Sequence, residues 1–294
     1  MKRKPDSVSR AHPGKMDGDH EGRREAMTSS QTGWGLDGKR AAVSFTFDNL
    51  GEAADLETGR WPADKPVGHH YTVTEVLPQL LQKLDAAKAT FFVEAWNAEM
   101  YPALLQELAA RGHDVALHGW RHEIWGDLKG KQQSALLSRS LDALGKLGIR
   151  PFGFRPPGGS VAENPSALLR DFGFTYYSPS GSGMGVEFGI AHIPFAWEHL
   201  DGVYLMPGGS AMAGLSSLPE EASLDGMRRA FHNALRKAVA DGTHLTLVFH
   251  PWLLGQDRER LRLVFELYEY AVQSPDLWVA PCRDVASWVL RDVQ

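Results

Sequence analysis

With 294 residues, 43% of them apolar and 23% charged, the chain has the makeup of an ordinary globular protein, long enough for one large α/β domain or two small ones. A net charge of −5 and the lack of any basic stripe with interleaved aromatics argue against nucleic acid as a partner. The one cysteine, Cys282, excludes an intramolecular disulfide and agrees with a reducing compartment; nothing in Ala280-Pro281-Cys282-Arg283 marks it as a nucleophile.

The chain opens Met1-Lys2-Arg3-Lys4, but no apolar run of signal-peptide length follows. No window reaches the ~18 apolar residues of a membrane span. The expectation is a cytoplasmic protein with no membrane partner. Residues 1–37 hold almost no aliphatic side chains, too few to offset the entropy of ordering, and are expected to be a disordered tail. The folded domain is expected over 38–294.

From residue 41 the character changes. Ala41-Ala42-Val43-Ser44-Phe45-Thr46-Phe47 predicts a buried strand that stops at Asp48-Asn49. Residues 50–71 carry Gly, Pro, Asp and His without periodicity and predict a long loop, with His69 and His70 facing solvent. A helix follows over 74–87, with Val76, Leu77, Leu80, Leu81 and Leu84 at helical spacing. A strand over 89–93, a helix over 101–111 closed by Gly112, and a strand over 114–117 repeat the cycle. Further helices are predicted over 131–147 and, capped by Asn164, to about 172. Strands are predicted over 152–154 and 174–177. Residues 178–189 read as a loop, 191–197 and 203–206 as strands. Helices over 223–240, 257–273 and 284–290 then alternate with strands over 244–249 and 278–281.

Strands alternating with helices imply right-handed crossovers and a parallel sheet, open or closed into a barrel. The chemically loaded residues fall at the C-terminal ends of the strands: Asp48 and Asn49, His118 and His122, Arg155, and His250. In parallel α/β folds ligands bind at that edge. His118 and His122 are four apart, a spacing that brings two imidazoles to one face where the backbone turns helically, within reach of one metal ion or anion.

Thr46-Phe47-Asp48-Asn49, His118-Gly119-Trp120-Arg121-His122, Arg155-Pro156-Pro157-Gly158 and Leu245-Thr246-Leu247-Val248-Phe249-His250 occur in the order of the motifs of the polysaccharide deacetylases, carbohydrate esterase family four. From about residue 39 to its end the chain resembles that family, near its allantoinase-like and peptidoglycan-deacetylase-like members. The resemblance implies an irregular (β/α) barrel of about seven parallel strands and metal-assisted hydrolysis of an N-acetyl or related N-acyl amide. It implies that His118 and His122 bind a divalent ion such as Zn²⁺ as neutral imidazoles. His250 would be the general acid for the leaving amine, Arg155 would hold a catalytic carboxylate ionised, and Asp201 would tune the histidine.

The sequence departs from the family at Asp48-Asn49, where most members carry two aspartates, the first the base and the second the metal ligand. An amide oxygen at Asn49 brings no charge and would hold the ion less tightly. Alternatively Asp48 itself takes the metal and the base role falls to water activated by the ion. A third alternative dispenses with metal and lets the histidines bind substrate. Trp120, Pro157 and Trp252 are candidate substrate-binding residues, and Glu94 shares the same edge. Glu123 and Trp125 lie where support for the second histidine is needed. The partner expected is an N-acylated sugar or small molecule. A small ureide-like amide as substrate, or a carbohydrate-binding protein that lost catalysis at Asn49, are the alternatives.

Overall fold

The computed structural model describes residues 25–26, 33–159, 165–212, 214 and 222–291. Among them strands β1 (Glu25–Ala26), β2 (Ala41–Asp48), β3 (Thr90–Val93), β4 (Asp114–Leu117), β5 (Gly153–Phe154), β6 (Tyr176–Tyr177), β7 (Gly185–Glu187), β8 (Ile190–His192), β9 (His244–Phe249) and β10 (Leu277–Val279) form one curled sheet. β2 to β6 and β8 to β10 run parallel, eight strands in all, while β7 and β1 are added antiparallel at one edge. β2 is the hub. It pairs with β9 over Ala42 to Phe47, and on its other side with β10 at its start and β3 at its end. Between β8 and β9 no ladder closes the ring. The gap is spanned by a bridge from Leu200 to Val248 and by Thr246 Oγ1, which donates to Pro194 O (3.0 Å). The parallel, irregular barrel is the architecture expected.

β2 is buried along its whole length, and its side chains alternate between two faces. Val43, Phe45 and Phe47 face the helical layer, whereas Ala42 joins Phe92, Ala116, Tyr176, Ala191 and Cys282 in a smaller cluster on the other face. The outer layer holds α1 (Ala53–Glu57), α2 (Leu77–Lys83), α3 (Asn97–Met100), α4 (Pro102–Ala110), α5 (Gly130–Gly145), α6 (Ser166–Asp171), α7 (Asp201–Leu205), α8 (Gly209–Met212), α9 (Leu224–Asp241), α10 (Pro251–Leu254) and α11 (Arg258–Gln273), whereas α12 (Cys282–Leu290) packs Cys282, Val285, Ala286 and Val289 into the smaller cluster on the other face. The long helices lie where the apolar spacing puts them. Ser223 caps α9 by accepting from Gly226 N, and Asp257 caps α11 by accepting from Glu259 N.

Three expectations are corrected. The strand predicted over 203–206 is helix α7: Leu200, Val203 and Tyr204 fit helical spacing, and Val203 and Tyr204 are buried in the helical layer. The loop predicted over 178–189 contains β7, which turns through Phe188 and Gly189, both in the left-handed region, to pair with β8. The loop over 50–71 carries α1, and its end runs into a π-helical turn, Thr72–Val76, ahead of α2. Asn164, expected to cap a helix, lies outside the described residues. Most of the tail expected over 1–37 does too. Of its described part, β1 pairs with β7, and buried Trp34 donates from Nε1 to Gly242 O (2.9 Å). Among the described residues no helix is long and apolar enough to cross a membrane.

Candidate active site

At the end of β2 the side chain of Asp48 points inward with those of Ser44 and Thr46, and a buried guanidinium meets it. Arg155, which follows β5 and is 1% exposed, donates from one terminal nitrogen to Asp48 Oδ1 (2.9 Å), Asp48 Oδ2 (3.2 Å) and Thr46 Oγ1 (2.8 Å). Its other terminal nitrogen donates to Ser178 Oγ (2.9 Å), and its plane lies 3.9 Å from the ring centre of Phe92. A planar cation with every edge occupied has one orientation, so Asp48 has one as well. Deleting either partner would strand a buried charge, at about 3–5 kcal/mol. Asn49, the next residue, has φ +61°, a conformation asparagine tolerates better than most. Its Oδ1 is buried and meets no donor.

The two histidines converge, but not on a helix. Gly119 (φ +80°) and His122 (φ +78°) both turn the chain left-handed, and the loop carries no helical turn between them. The imidazoles nonetheless lie 4.9 Å apart between ring centres, edge to face at 73°. What shapes the turn is Glu123, whose Oε2 accepts from Trp120 N (2.9 Å) and Arg121 N (3.0 Å). Gly119 is required twice over, by its φ and because a Cβ there would sit 3.1 Å from that same Oε2 and 3.2 Å from Pro157. His118 Nδ1 lies 2.9 Å from Arg155 O. A carbonyl only accepts, so Nδ1 carries the proton and Nε2 keeps its lone pair, 4.0 Å from Asp48 Oδ2. Burial drives both pKa values down to about 3, His122 being pushed further by His118 and His250. Both imidazoles are therefore neutral at physiological pH.

His250, just past β9, is the electrostatic opposite. Its Nδ1 lies 2.6 Å from Asp201 Oδ1, and its backbone N donates to Asp201 Oδ2 (2.7 Å). Asp201 opens α7 and is fully buried. Burial alone would strip the proton from His250, but the charge and hydrogen bond of Asp201 outweigh it, and the pKa is raised above the ordinary imidazole value. His250 acts electrostatically on both His118 and His122, and Asp48 acts on it, so the loops after β2, β4, β5 and β9 face one centre.

The remaining candidates are distributed unevenly around that centre. Trp252 is half-buried, its ring 6.3 Å from that of His250. Pro157 is buried against Gly119. Trp120 is 4% exposed and packs in the helical layer, with the Arg139 guanidinium 3.6 Å above its ring. Trp125 is core, 4.6 Å from Phe154 between ring centres. Glu94 is fully buried at the end of β3. Burial foremost, with Asp48 adding to it against the pull of the Glu94 and Leu50 amides, lifts its carboxyl to about 8. His70, expected in solvent, is buried and paired through Nδ1 with Thr72 Oγ1 (2.7 Å); His69 is exposed. Burial raises the Cys282 thiol to about 11, which leaves it inert as a nucleophile.

Among the described residues no three His, Cys, Asp or Glu side chains come together as a metal site. The donors that do fit a divalent ion are His118 Nε2, the neutral His122 ring and the unpaired oxygen of Asn49. That set has the right atom types and carries no charge of its own.

Residues 36–177 match the family model described as polysaccharide deacetylase. Chitin deacetylase 1 of Saccharomyces cerevisiae is 34% identical over 97 residues, 33% of this chain and 32% of that protein. The peptidoglycan-N-acetylglucosamine deacetylase of Bacillus cereus is 31% identical over 93 residues, 31% of this chain and 34% of that protein. The matched stretch thus spans about a third of the length of these curated relatives. Among solved structures, a Mycobacterium smegmatis chain assigned to the polysaccharide deacetylases superposes with a TM-score of 0.74 at 25% identity, covering 92% of this chain and 96% of that one. An allantoinase shares the fold with a TM-score of 0.68 at 18% identity, covering 88% of this chain and 93% of that one.

Proposed function

We propose that this chain, which matches the polysaccharide deacetylase family model over residues 36–177, is a hydrolase that removes an N-acetyl or related N-acyl group from a carbohydrate-like substrate. The observation that carries the reading is electrostatic. Within one centre, burial holds His118 and His122 neutral while Asp201 keeps His250 protonatable, so identical side chains are set to opposite tasks. The named relatives are a chitin deacetylase and a peptidoglycan-N-acetylglucosamine deacetylase, which supports a sugar carrying an N-acetyl group as the substrate class.

Asp48, fixed by Arg155, takes the proton of the attacking water, and the fixed carboxylate loses no entropy at that moment. His250 delivers a proton from Nε2 to the departing amine, since its Nδ1 is committed to Asp201. His118 Nε2, His122 and Asn49 Oδ1 would hold a divalent ion, zinc being suited to two imidazoles. Bound there, it would polarise the acyl carbonyl and acidify water. Such an ion would be held through fewer charges than where an aspartate stands at 49, so metal lost on dialysis and regained on adding Zn²⁺ is expected.

The test is release of acetate from N-acetylglucosamine oligomers by protein dialysed against chelator and then reloaded. Acetate appearing only in the reloaded sample supports the reading. No acetate with or without metal, together with turnover of a ureide, would replace it with the small-amide alternative.

Glu123 supplies a prediction at the same site. Glu123→Ala frees the Trp120 and Arg121 amides that define the turn between the histidines. Zn²⁺ affinity by competition with a chromophoric chelator is expected to fall about 10–100-fold, the usual cost of losing a group that orients ligands. Unchanged affinity would mean that Gly119 and Pro157 alone hold the turn.

A further inference from the structure

The excursion over residues 50–71 has no periodicity, yet its two ends are fastened together by buried polar contacts. Glu52, at its start, is fully buried. Its Oε1 accepts from Gly68 N (2.5 Å) and its Oε2 from Tyr101 OH (2.6 Å). The same phenol oxygen accepts from His70 N (3.0 Å). His70 Nδ1 pairs with Thr72 Oγ1, whose hydroxyl donates to Leu50 O. One carboxylate and one phenol, just ahead of α4, thereby tie residue 52 to residues 68–70, while residues 57–60 and 62–67 between them are exposed. Gly51 makes room for the phenol: a Cβ there would lie 3.0 Å from the Tyr101 ring and 3.0 Å from Asn97 Oδ1. A buried carboxylate is costly unless its oxygens are met, and here both are, by donors from two different segments.

The fastened excursion touches the other loops of the candidate site. Glu57 pairs with Arg121, between the two histidines, at 3.0 Å. Tyr71 OH donates to Trp252 O, two residues past His250. Its own first residues continue the turn that holds Asp48 and Asn49. We propose that Glu52 and Tyr101 are positioning residues, a latch that fixes the excursion and through it the spacing between the Asp48-Asn49 turn and the His250 loop. This rests on the reading of the site as a deacetylase centre. The latch touches none of the reacting groups and acts on rate by holding them in register.

Tyr101→Phe keeps the ring and removes the hydroxyl, leaving Glu52 Oε2 and His70 N without their partner. Two readouts are taken well below the melting transition. Trypsin cleavage after Arg60, in the exposed part of the excursion, is expected to quicken about tenfold while cleavage elsewhere is unchanged, as local opening requires. On N-acetylglucosamine oligomers kcat is expected to fall about tenfold with KM within about twofold, because geometry between reacting groups is lost rather than binding. Glu52→Gln, which keeps the shape and removes the charge, should move both in the same direction and serves if Tyr101→Phe does not fold. Wild-type cleavage after Arg60 overturns the latch. Faster cleavage with unchanged kcat, or cleavage quickened everywhere, overturns the positioning role. Absence of acetate release by the wild-type chain would sink the reading of function instead, and cleavage after Arg60 alone would then judge the latch.

Discussion

His122→Ala is expected to leave the protein folded, without zinc, and slower in acetate release by about a thousandfold or more, the scale on which a Lewis acid contributes. The folded state survives because the imidazole contributes little to it: burial penalises its charged form, and its ring contact is with His118. The left-handed backbone at 122 (φ +78°) is no easier for alanine than for histidine, so His122→Asn, which tolerates that conformation, is the control. Both variants should lose metal and rate together. His118→Ala should do the same and in addition leave Arg155 O without its donor, a second loss at the buried end of the pair. Elemental analysis of the purified variants, with circular dichroism to verify folding, checks the result. Full metal occupancy with normal turnover in either variant would remove the histidine pair from the mechanism.

The legible part of this fold was the part written in consecutive residues. The run from Ala41 to Phe47 is mostly apolar because β2 is covered on both faces, its two hydroxyls, Ser44 and Thr46, being hydrogen-bonded within the sheet, and it ends where Asp48 emerges at the barrel edge. The same logic places His118, Arg155 and His250 at strand ends. Less legible were segments whose conformation is set across the gap in the barrel. Val203 to Met206 has the composition of a strand, but it lies where the ring fails to close between β8 and β9, and no edge is offered to it beyond the bridge at Leu200. The histidine spacing offered proximity where the backbone turns helically; two left-handed residues and a carboxylate clamp bring the rings together instead. The supporting residues were the least visible. Glu123 could be placed by its position after His122, though not its amide partners, whereas Glu52, Tyr101 and His70 act through bonds to groups distant in sequence, and such contacts leave no periodic mark. One local signal was available. Glu94 is a charged residue directly continuing an apolar strand, a position where burial is foreseeable even if its partner is not.

Asp201→Asn is the second large effect. The carboxylate meets two donors at once, His250 Nδ1–H and His250 N–H. An amide has one acceptor oxygen, so one of the two is left facing an NH₂ group. With the charge gone, burial is opposed by Asp48 alone, Arg155 acting with burial, and the His250 pKa is expected to fall. At pH 7 the general acid is then less protonated as well as poorly oriented, and kcat should fall about 100-fold, within the range that general acid catalysis contributes. The basic limb of the kcat profile should shift to lower pH, which a variant merely loosened in structure would not do. Stability follows the same sign. Because the folded pKa of His250 is raised, its pairing with Asp201 stabilises the fold fully below the unfolded value near 6.5 and is lost as pH rises through the folded pKa. Asp201→Asn should therefore lower the urea midpoint more at pH 6 than at pH 9. An equal loss at both, with an unshifted pH profile, would mean that Asp201 serves to hold the His250 backbone and leaves its proton alone.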